Sequence, residues 1–200
     1  MKYLIGIDEA GRGPLAGPVS VGAVMVPMDF DFSLVHGARD SKKMTEKSRD
    51  ELFVRIRQLQ KQGLLKYAVS FSAASVIDSR GIVPAVRSAL SRCLTKLGAR
   101  PDECEIRLDG SLYAPERFVE QATIIRGDDL EPIISMASIM AKVMRDRYMV
   151  RVAPAYPAYG FEVHKGYGTL RHRKAIKKAG LSGLHRSSFC TRLPKGAESV

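Results

Sequence analysis

Asp8 and Glu9 stand side by side where the apolar run Tyr3-Leu4-Ile5-Gly6-Ile7 ends, and Gly11-Arg12-Gly13-Pro14 follows at once. Side chains alternate faces along a strand, so two adjacent acids can serve one site only where the strand stops. Gly11 and Gly13 are the residue type that stops it. An apolar run, an acid and a nearby glycine recur at Leu108-Asp109-Gly110, and Gly127-Asp128-Asp129 repeats the glycine and acid. Each alone also describes a solvated turn. Together they describe carboxylates from separate strand ends gathered at one edge of an α/β sheet, where such sheets place their sites. Four carboxylates gathered in one place would repel one another unless a cation neutralised them, so the cluster implies bound metal. With no Cys or His at ligand spacing, Mg2+ or Mn2+ is favoured over zinc. At the third place Asp128 and Asp129 are both candidates.

A second cluster, His164-Lys165-Gly166-Tyr167-Gly168-Thr169, suits a nucleic acid. Glycines on either side let the backbone approach a ligand and leave the Tyr167 ring free to stack on a base or sugar. Lys165, Arg171, Arg173 and Lys174 around it suit phosphates, although an aromatic plug between loops would use the same residues. Other chemistries are set aside. Gly11, Gly13 and Gly17 miss the dinucleotide-binding spacing, no phosphate-binding G-x-x-x-x-G-K-[ST] loop is present, and His36, His164, His172 and His185 form no H-E-x-x-H pair. Each histidine reads as a phosphate contact or a structural residue.

The charge distribution agrees with a polyanionic ligand. The chain has 200 residues, 45% of them apolar, and a net charge of +11. From Lys142 to Val200 there are 13 basic residues against 3 acidic ones, a net of +10. A basic half facing acids elsewhere is expected when the acids are reserved for metal. Cys93, Cys104 and Cys190 are widely spaced, which fits reduced thiols. The N-terminus is too short for a signal segment and no apolar stretch reaches the ~20 residues that span a bilayer, so a cytoplasmic protein without membrane contact is expected.

The elements that must position these residues follow from pattern. Tyr3 to Asp8 and Val19 to Val26 read as an antiparallel strand pair. A helix begins after Thr45, with Leu52, Phe53, Ile56 and Leu59 inward, and ends near Gly63. Leu64 to Phe71 reads as a third strand, Ser75 to Arg80 as a short helix and Val83 to Leu97 as a longer one. Cys104 to Leu108 and Thr123 to Ile125 read as strands four and five. From about Glu131 to Val150 a strong helix is expected, with Ile133, Ala137, Met140, Ala141, Met144 and Tyr148 buried and Ser135, Ser138, Lys142 and Arg145 on its other face. A basic helix follows Thr169 and closes at Gly180. The pattern predicts an α/β core over residues 1–153, with a mixed five-stranded sheet flanked by helices. A small basic helical appendage over 154–200 packs onto it.

The stretch Asp8 to Val19 closely resembles the opening motif of bacterial ribonuclease HII. The later motifs recur in that family's order: Asp40-Ser41-Lys42-Lys43, Leu108-Asp109-Gly110, Gly127-Asp128, Ala137 to Val143 with Arg145-Asp146, His164 to Thr169, and His185 to Phe189. The resemblance covers about Tyr3 to Phe189 and implies an RNase H-like fold. It implies an endonuclease that cuts on the 5′ side of ribonucleotides in RNA/DNA hybrids and of single ribonucleotides embedded in duplex DNA. The ends left would be 5′-phosphate and 3′-hydroxyl, and the role would be removal of misincorporated ribonucleotides. Asp8, Glu9, Asp109 and Asp128 would carry two divalent ions; by register with the family's motif, Asp128 goes to the site and Asp129 to the cap of the helix that follows. Gly11, Arg12 and Gly13 would read the ribose 2′-hydroxyl, and Tyr167 would stack beneath the following deoxyribose. Lys42, Lys43, Ser138, Lys142, Arg145, His164 and Lys165 would complete the substrate contacts. A monomer is expected, and the tail after Thr191 leaves room for a sliding-clamp docking peptide. Two other readings share some features. Ribonuclease HIII has the same fold but a longer chain with an extra N-terminal domain. A non-catalytic nucleic-acid-binding module would use the basic half, but four acids in its site would only weaken binding.

Overall fold

The computed structural model describes residues 1–35 and 44–191. Five strands, β1 (Tyr3–Ala10), β2 (Val19–Pro27), β3 (Lys66–Ser72), β4 (Cys104–Asp109) and β5 (Gln121–Ile124), form one mixed sheet in the order β3-β2-β1-β4-β5. β1 pairs antiparallel with β2 and parallel with β4, β3 joins β2 antiparallel, and β5 joins β4 in parallel. The helices are α1 (Glu46–Lys61), α2 (Ala74–Arg80), α3 (Ile82–Leu97), α4 (Gly127–Leu130), α5 (Pro132–Val152), α6 (Phe161–His164) and α7 (Leu170–Ala179). Their starts and stops follow local chemistry. Thr45 accepts the Ser48 N–H at 3.1 Å as the N-cap of α1, and Gly98, at φ 67°, closes α3 in the left-handed conformation.

Alternation along β1 and β2 divides the core into two layers. Ile5, Ile7, Val21, Ala23 and Met25 pack with Val86, Leu90 and Leu94 of α3. Leu4, Val24 and Val26 on the opposite face pack with Phe53 and Ile56 of α1 and Ile133 and Met140 of α5. The sequence pattern makes α5 amphipathic, and the structure differs. Every residue from Ile133 to Ala141 is buried, and so is Arg145. The helix lies so close to the sheet that a Cβ on Gly6 would sit 2.2 Å from the Ile133 carbonyl oxygen, and one on Gly22 would sit 2.3 Å from that of Ala137. Only glycine permits this approach.

The segment after Pro154 packs on the end of α5 through Ala16, Met149, Ala153, Tyr159, Phe161 and Ile176. At its centre are three buried histidines. His164 Nε2 meets the Tyr159 carbonyl at 2.7 Å, and His172 Nδ1 meets that of Tyr167 at 2.9 Å. Carbonyls only accept, so both nitrogens carry hydrogen. His164 Nδ1 accepts the Gly166 N–H, and His172 Nε2 faces His185 Nε2 at 3.0 Å. His185 must then donate through Nε2 and accept the Ser182 N–H through Nδ1. Every bond is satisfied with all three rings neutral.

Burial, followed by the nearness of His172, depresses His185 to about 4, and burial also lowers His172. An unfolded histidine takes up its proton near 6.5. Falling pH therefore protonates the unfolded chain first. The contribution of His185 is intact above pH 6.5 and is lost progressively towards pH 4, by on the order of 3 kcal/mol. Urea unfolding between pH 7 and pH 4.5 should show this as a steeper acid destabilisation in the wild type than in His185→Gln; parallel profiles would count against the cluster being neutral.

Candidate active site

Pairing between β1 and β4 ends at Ile7↔Leu108, so Asp8 and Asp109 occupy the next positions side by side. β1 itself continues to Ala10, paired only with β2. The strand thus runs past Asp8 rather than stopping there, and Gly11, at φ 89°, ends it. Asp8 shares the face of Gly6 under α5, while Glu9 shares the face of Ile7. The two acids meet because β4 ends beside them, leaving a notch open to both faces. The resulting cleft has a volume of about 340 Å³ and is lined by Asp8, Glu9, Ala10, Gly11, Arg49, Asp109, Ser138, Lys142 and Tyr167. A larger cleft of about 430 Å³ lies beside Arg87, Tyr113 and Gln121, but Glu116 is the only acid lining it.

The carboxylates are held under electrostatic stress. Asp8, only 4% exposed, accepts the Glu9 N–H at 2.7 Å and a hydrogen bond from the Ser138 hydroxyl. Burial first, then the Glu9 and Asp109 charges, push its carboxyl well above the usual range. Burial also raises Glu9, although Arg12 Nη1, 3.2 Å from Glu9 Oε1, opposes the shift. Glu9 Oε2 is buried with no hydrogen-bond partner among the described residues. Asp109 Oδ1 accepts the Asp128 N–H at 3.3 Å. Asp128 itself is wholly buried in α4 and does not line the cleft. Asp129 does not cap the long helix as its position suggests, because Glu131 occupies that place and Asp129 pairs with Arg126 at 3.1 Å.

The donor set fits a hard divalent cation: largely buried, mutually repelling carboxylates, one of whose oxygens, Glu9 Oε2, has no hydrogen-bond partner among the described residues. Asp8, Glu9 and Asp109 can hold it. Among the described residues no three His, Cys, Asp or Glu side chains are yet closed on a single point, so an ion would have to draw them together.

Around the acids the expected contacts separate into two groups. Ser138, Lys142 and Tyr167 line the cleft; the Tyr167 ring is 40% exposed and stands 5.5 Å from Lys142 Nζ. Lys165, in the left-handed region at φ 52°, lines a small neighbouring cleft with Arg49 and Asp146. Its strain is held by bonds from its backbone N–H to Phe161 and from Nζ to Glu162. Arg145 and His164 are not at the surface, where the sequence reading puts phosphate contacts. Arg145 is fully buried, donating to the carbonyls of Pro18 at 2.9 Å and Ala16 at 3.2 Å, and both His164 nitrogens are bonded to backbone. Lys42 and Lys43 lie outside the described residues. Arg49, which no local motif marks, reaches the cleft from α1 and is visible only in three dimensions.

Gly11 and Gly13 differ in what demands them. A Cβ on Gly11 would lie 2.0 Å from Arg145 Nε, and its φ is left-handed, so the fold itself requires glycine. Gly13 has neither constraint: nothing lies within 4 Å of its Cβ position.

Replacing Asp8 by Asn removes one charge from a repelling group. Without metal, the variant should melt at least as high as the wild type. Mg2+ or Mn2+ should raise the wild-type midpoint and leave that of Asp8→Asn nearly unchanged. An equal metal-induced shift in both, followed calorimetrically, would remove Asp8 from the ion site.

Residues 5–192 match the model of the family described as Ribonuclease HII. A ribonuclease HII from Endomicrobium trichonymphae is 44% identical over 184 residues, 92% of this chain and 83% of that protein. The ribonuclease HII of Archaeoglobus fulgidus, solved in complex with PCNA, superposes with a TM-score of 0.72 at 26% identity and 94% coverage of each chain. Bst-RNase HIII, solved in complex with Mn2+, shares the fold at TM-score 0.68 and 19% identity, covering 92% of this chain and 66% of that one. The carboxylate cleft, the mixed five-stranded sheet and these likenesses agree: the chain belongs to the ribonuclease HII family and is a ribonuclease H hydrolase.

Proposed function

We propose that this ribonuclease H cuts the phosphodiester on the 5′ side of a ribonucleotide, both in RNA/DNA hybrids and where one ribonucleotide is embedded in duplex DNA. The observation that carries the reading is that Gly11 and Tyr167, the proposed ribose and sugar contacts, line the same cleft as Asp8, Glu9 and Asp109. A cut with that geometry leaves 5′-phosphate and 3′-hydroxyl ends and suits the removal of misincorporated ribonucleotides.

Asp8, Glu9, Asp109 and Asp128 would hold divalent metal, and the Asp128 N–H also bonds to the Asp109 carboxylate. A pair of Mg2+ or Mn2+ ions held there would supply an activated water and charge stabilisation for the departing 3′-oxygen. The Mn2+ complex of Bst-RNase HIII and the unpartnered Glu9 oxygen support a metal of this class. Lys142 and Arg49 offer positive charge to the phosphates beside the cut, and Ser138 orients the Asp8 carboxylate. The Tyr167 ring offers a face for the next sugar. Hydroxyl recognition falls to the Gly11-Arg12-Gly13 turn, since the 2′-hydroxyl is what distinguishes RNA from DNA at one nucleotide. The exposed basic residues of α7, Arg171, Arg173, Lys174, Lys177 and Lys178, would track the flanking duplex. The PCNA complex of the Archaeoglobus neighbour supports a sliding clamp as a partner class.

A duplex carrying one ribonucleotide, labelled at either end, tests this directly. Nicking on the 5′ side of that ribonucleotide with Mg2+ or Mn2+ is expected, and none in chelator. Absence of metal-dependent nicking of any ribonucleotide-containing duplex would sink the proposal.

The two glycines supply a second test. Gly13→Ala should leave stability within about 0.5 kcal/mol of wild type, because its Cβ meets open space. It should nonetheless weaken cleavage of the single-ribonucleotide duplex by at least about tenfold, through obstruction of a closely approaching ligand. Gly11→Ala should instead lower the melting temperature. Full activity in Gly13→Ala would mean that nothing approaches that turn.

A further inference from the structure

The turn from Gly11 to Pro18 is held from beneath by two buried guanidiniums. Arg186 Nη2 donates to the Gly11 carbonyl and Nη1 to that of Arg12, both at 2.7 Å, and Nε donates to Gly17 at 3.0 Å. Arg145 takes the carbonyls of Ala16 and Pro18. Both side chains are fully buried, and neither lines the cleft. Arg186 donates to backbone from each of its three guanidinium nitrogens.

These bonds fix more than the carbonyls. In a trans peptide, the carbonyl of one residue and the N–H of the next point in opposite directions. With the carbonyls of Gly11 and Arg12 drawn inward, the N–H groups of Arg12 and Gly13 face away from the buried guanidinium. Among the described residues neither N–H has an acceptor in the protein, whereas Leu15 and Ala16 both donate to Gly166 and Gly17 donates to Leu184. Two adjacent, outward, unbonded donors beside an open Gly13 suit a hydroxyl or phosphate oxygen.

We propose that Arg186 is a positioning residue for ribonucleotide recognition, which by gripping the Gly11 and Arg12 carbonyls presents the Arg12 and Gly13 N–H groups as a preset donor pair. The inference rests on the proposed reading of this turn as the ribose sensor. Arg186 is itself held. Its N–H donates to the Leu15 carbonyl at 2.8 Å. The next two residues, Ser187 and Ser188, donate their backbone N–H groups to Asp78 of α2 at 2.9 and 3.0 Å, and their hydroxyls bond to the same carboxylate. Burial, followed by the Arg145 charge, lowers Arg186 to about 10, which still leaves it cationic at neutral pH. A lysine there would keep the charge but grip one point instead of three.

The test uses two duplexes differing only in one 2′-hydroxyl, with binding followed by fluorescence anisotropy in chelator so that neither is cut. The wild type should prefer the ribonucleotide duplex. In Arg186→Lys that preference should fall about five- to tenfold, the worth of one to two net hydrogen bonds. Affinity for the all-DNA duplex should stay within about twofold, since the phosphate contacts are untouched. Asp78→Ala loosens the same grip from the surface and should lose part of the preference. A folded Arg186→Lys that keeps the wild-type ratio overturns the inference. If Arg186→Lys fails to fold, Asp78→Ala decides, and an unchanged ratio there overturns it equally. A wild type with no preference between the duplexes overturns the ribose-sensor reading instead.

Discussion

Backbone rests on backbone where α5 crosses β1 and β2. At Gly6 and Gly22 no side chain separates helix from sheet, and the spacing this sets governs the site. It brings Ser138 down onto Asp8 and buries that carboxylate. It also carries Arg145 inward far enough to reach the Pro18 carbonyl. A methyl group at either glycine would wedge the layers apart and separate all of these at once. The helix approaches on small residues of its own, Ala137 and Ala141 beside Gly22, so the fit is prepared from both sides.

Much of the architecture was legible because period and punctuation agree. Thr45, Gly98 and the β-branched runs of β1 and β2 mark their elements unaided. The acids of β1 and β4 were legible too, since each follows an apolar run. What stayed hidden depends on distance. Nothing local distinguishes Arg145 or Arg186 from a surface cation, because the carbonyls they bind lie more than a hundred residues away. Arg49 was missed for the same reason. The placing of Ser135 and Arg145 on an outer face of α5 failed because amphipathic reasoning assumes one covered side, and α5 is covered nearly all round. Asp128 is the intermediate case: its position in the sequence points to the site, and the structure buries its side chain in α4 with its N–H bonded to Asp109.

The chain sorts its cations into two populations. Exposed lysines and arginines, as on α7, keep their charge in water and can attract a polyanion from a distance. Arg145 reaches a carboxylate only at 3.9 Å, on Asp146, and both Arg145 and Arg186 spend their hydrogen bonds on backbone carbonyls, whose dipoles compensate their charge. Such compensation works only if the carbonyls stay in place, so each guanidinium and the turn it binds stabilise one another. The acids show the opposite logic: Arg12 offsets only part of their repulsion, and Asp8 and Glu9 both stay raised, which keeps the site receptive to a cation.

The grip of Arg186 on Gly11 spans 175 positions of the chain. During synthesis the N-terminal hairpin and its acids emerge first, and they must wait while β4, α5 and the histidine-lined segment are made. Loop closure over such a span is slow compared with pairing of neighbours. On the ribosome, then, the nascent chain already carries its carboxylates but has no braced turn to go with them, and it gains that turn only as its final segment folds back across the first.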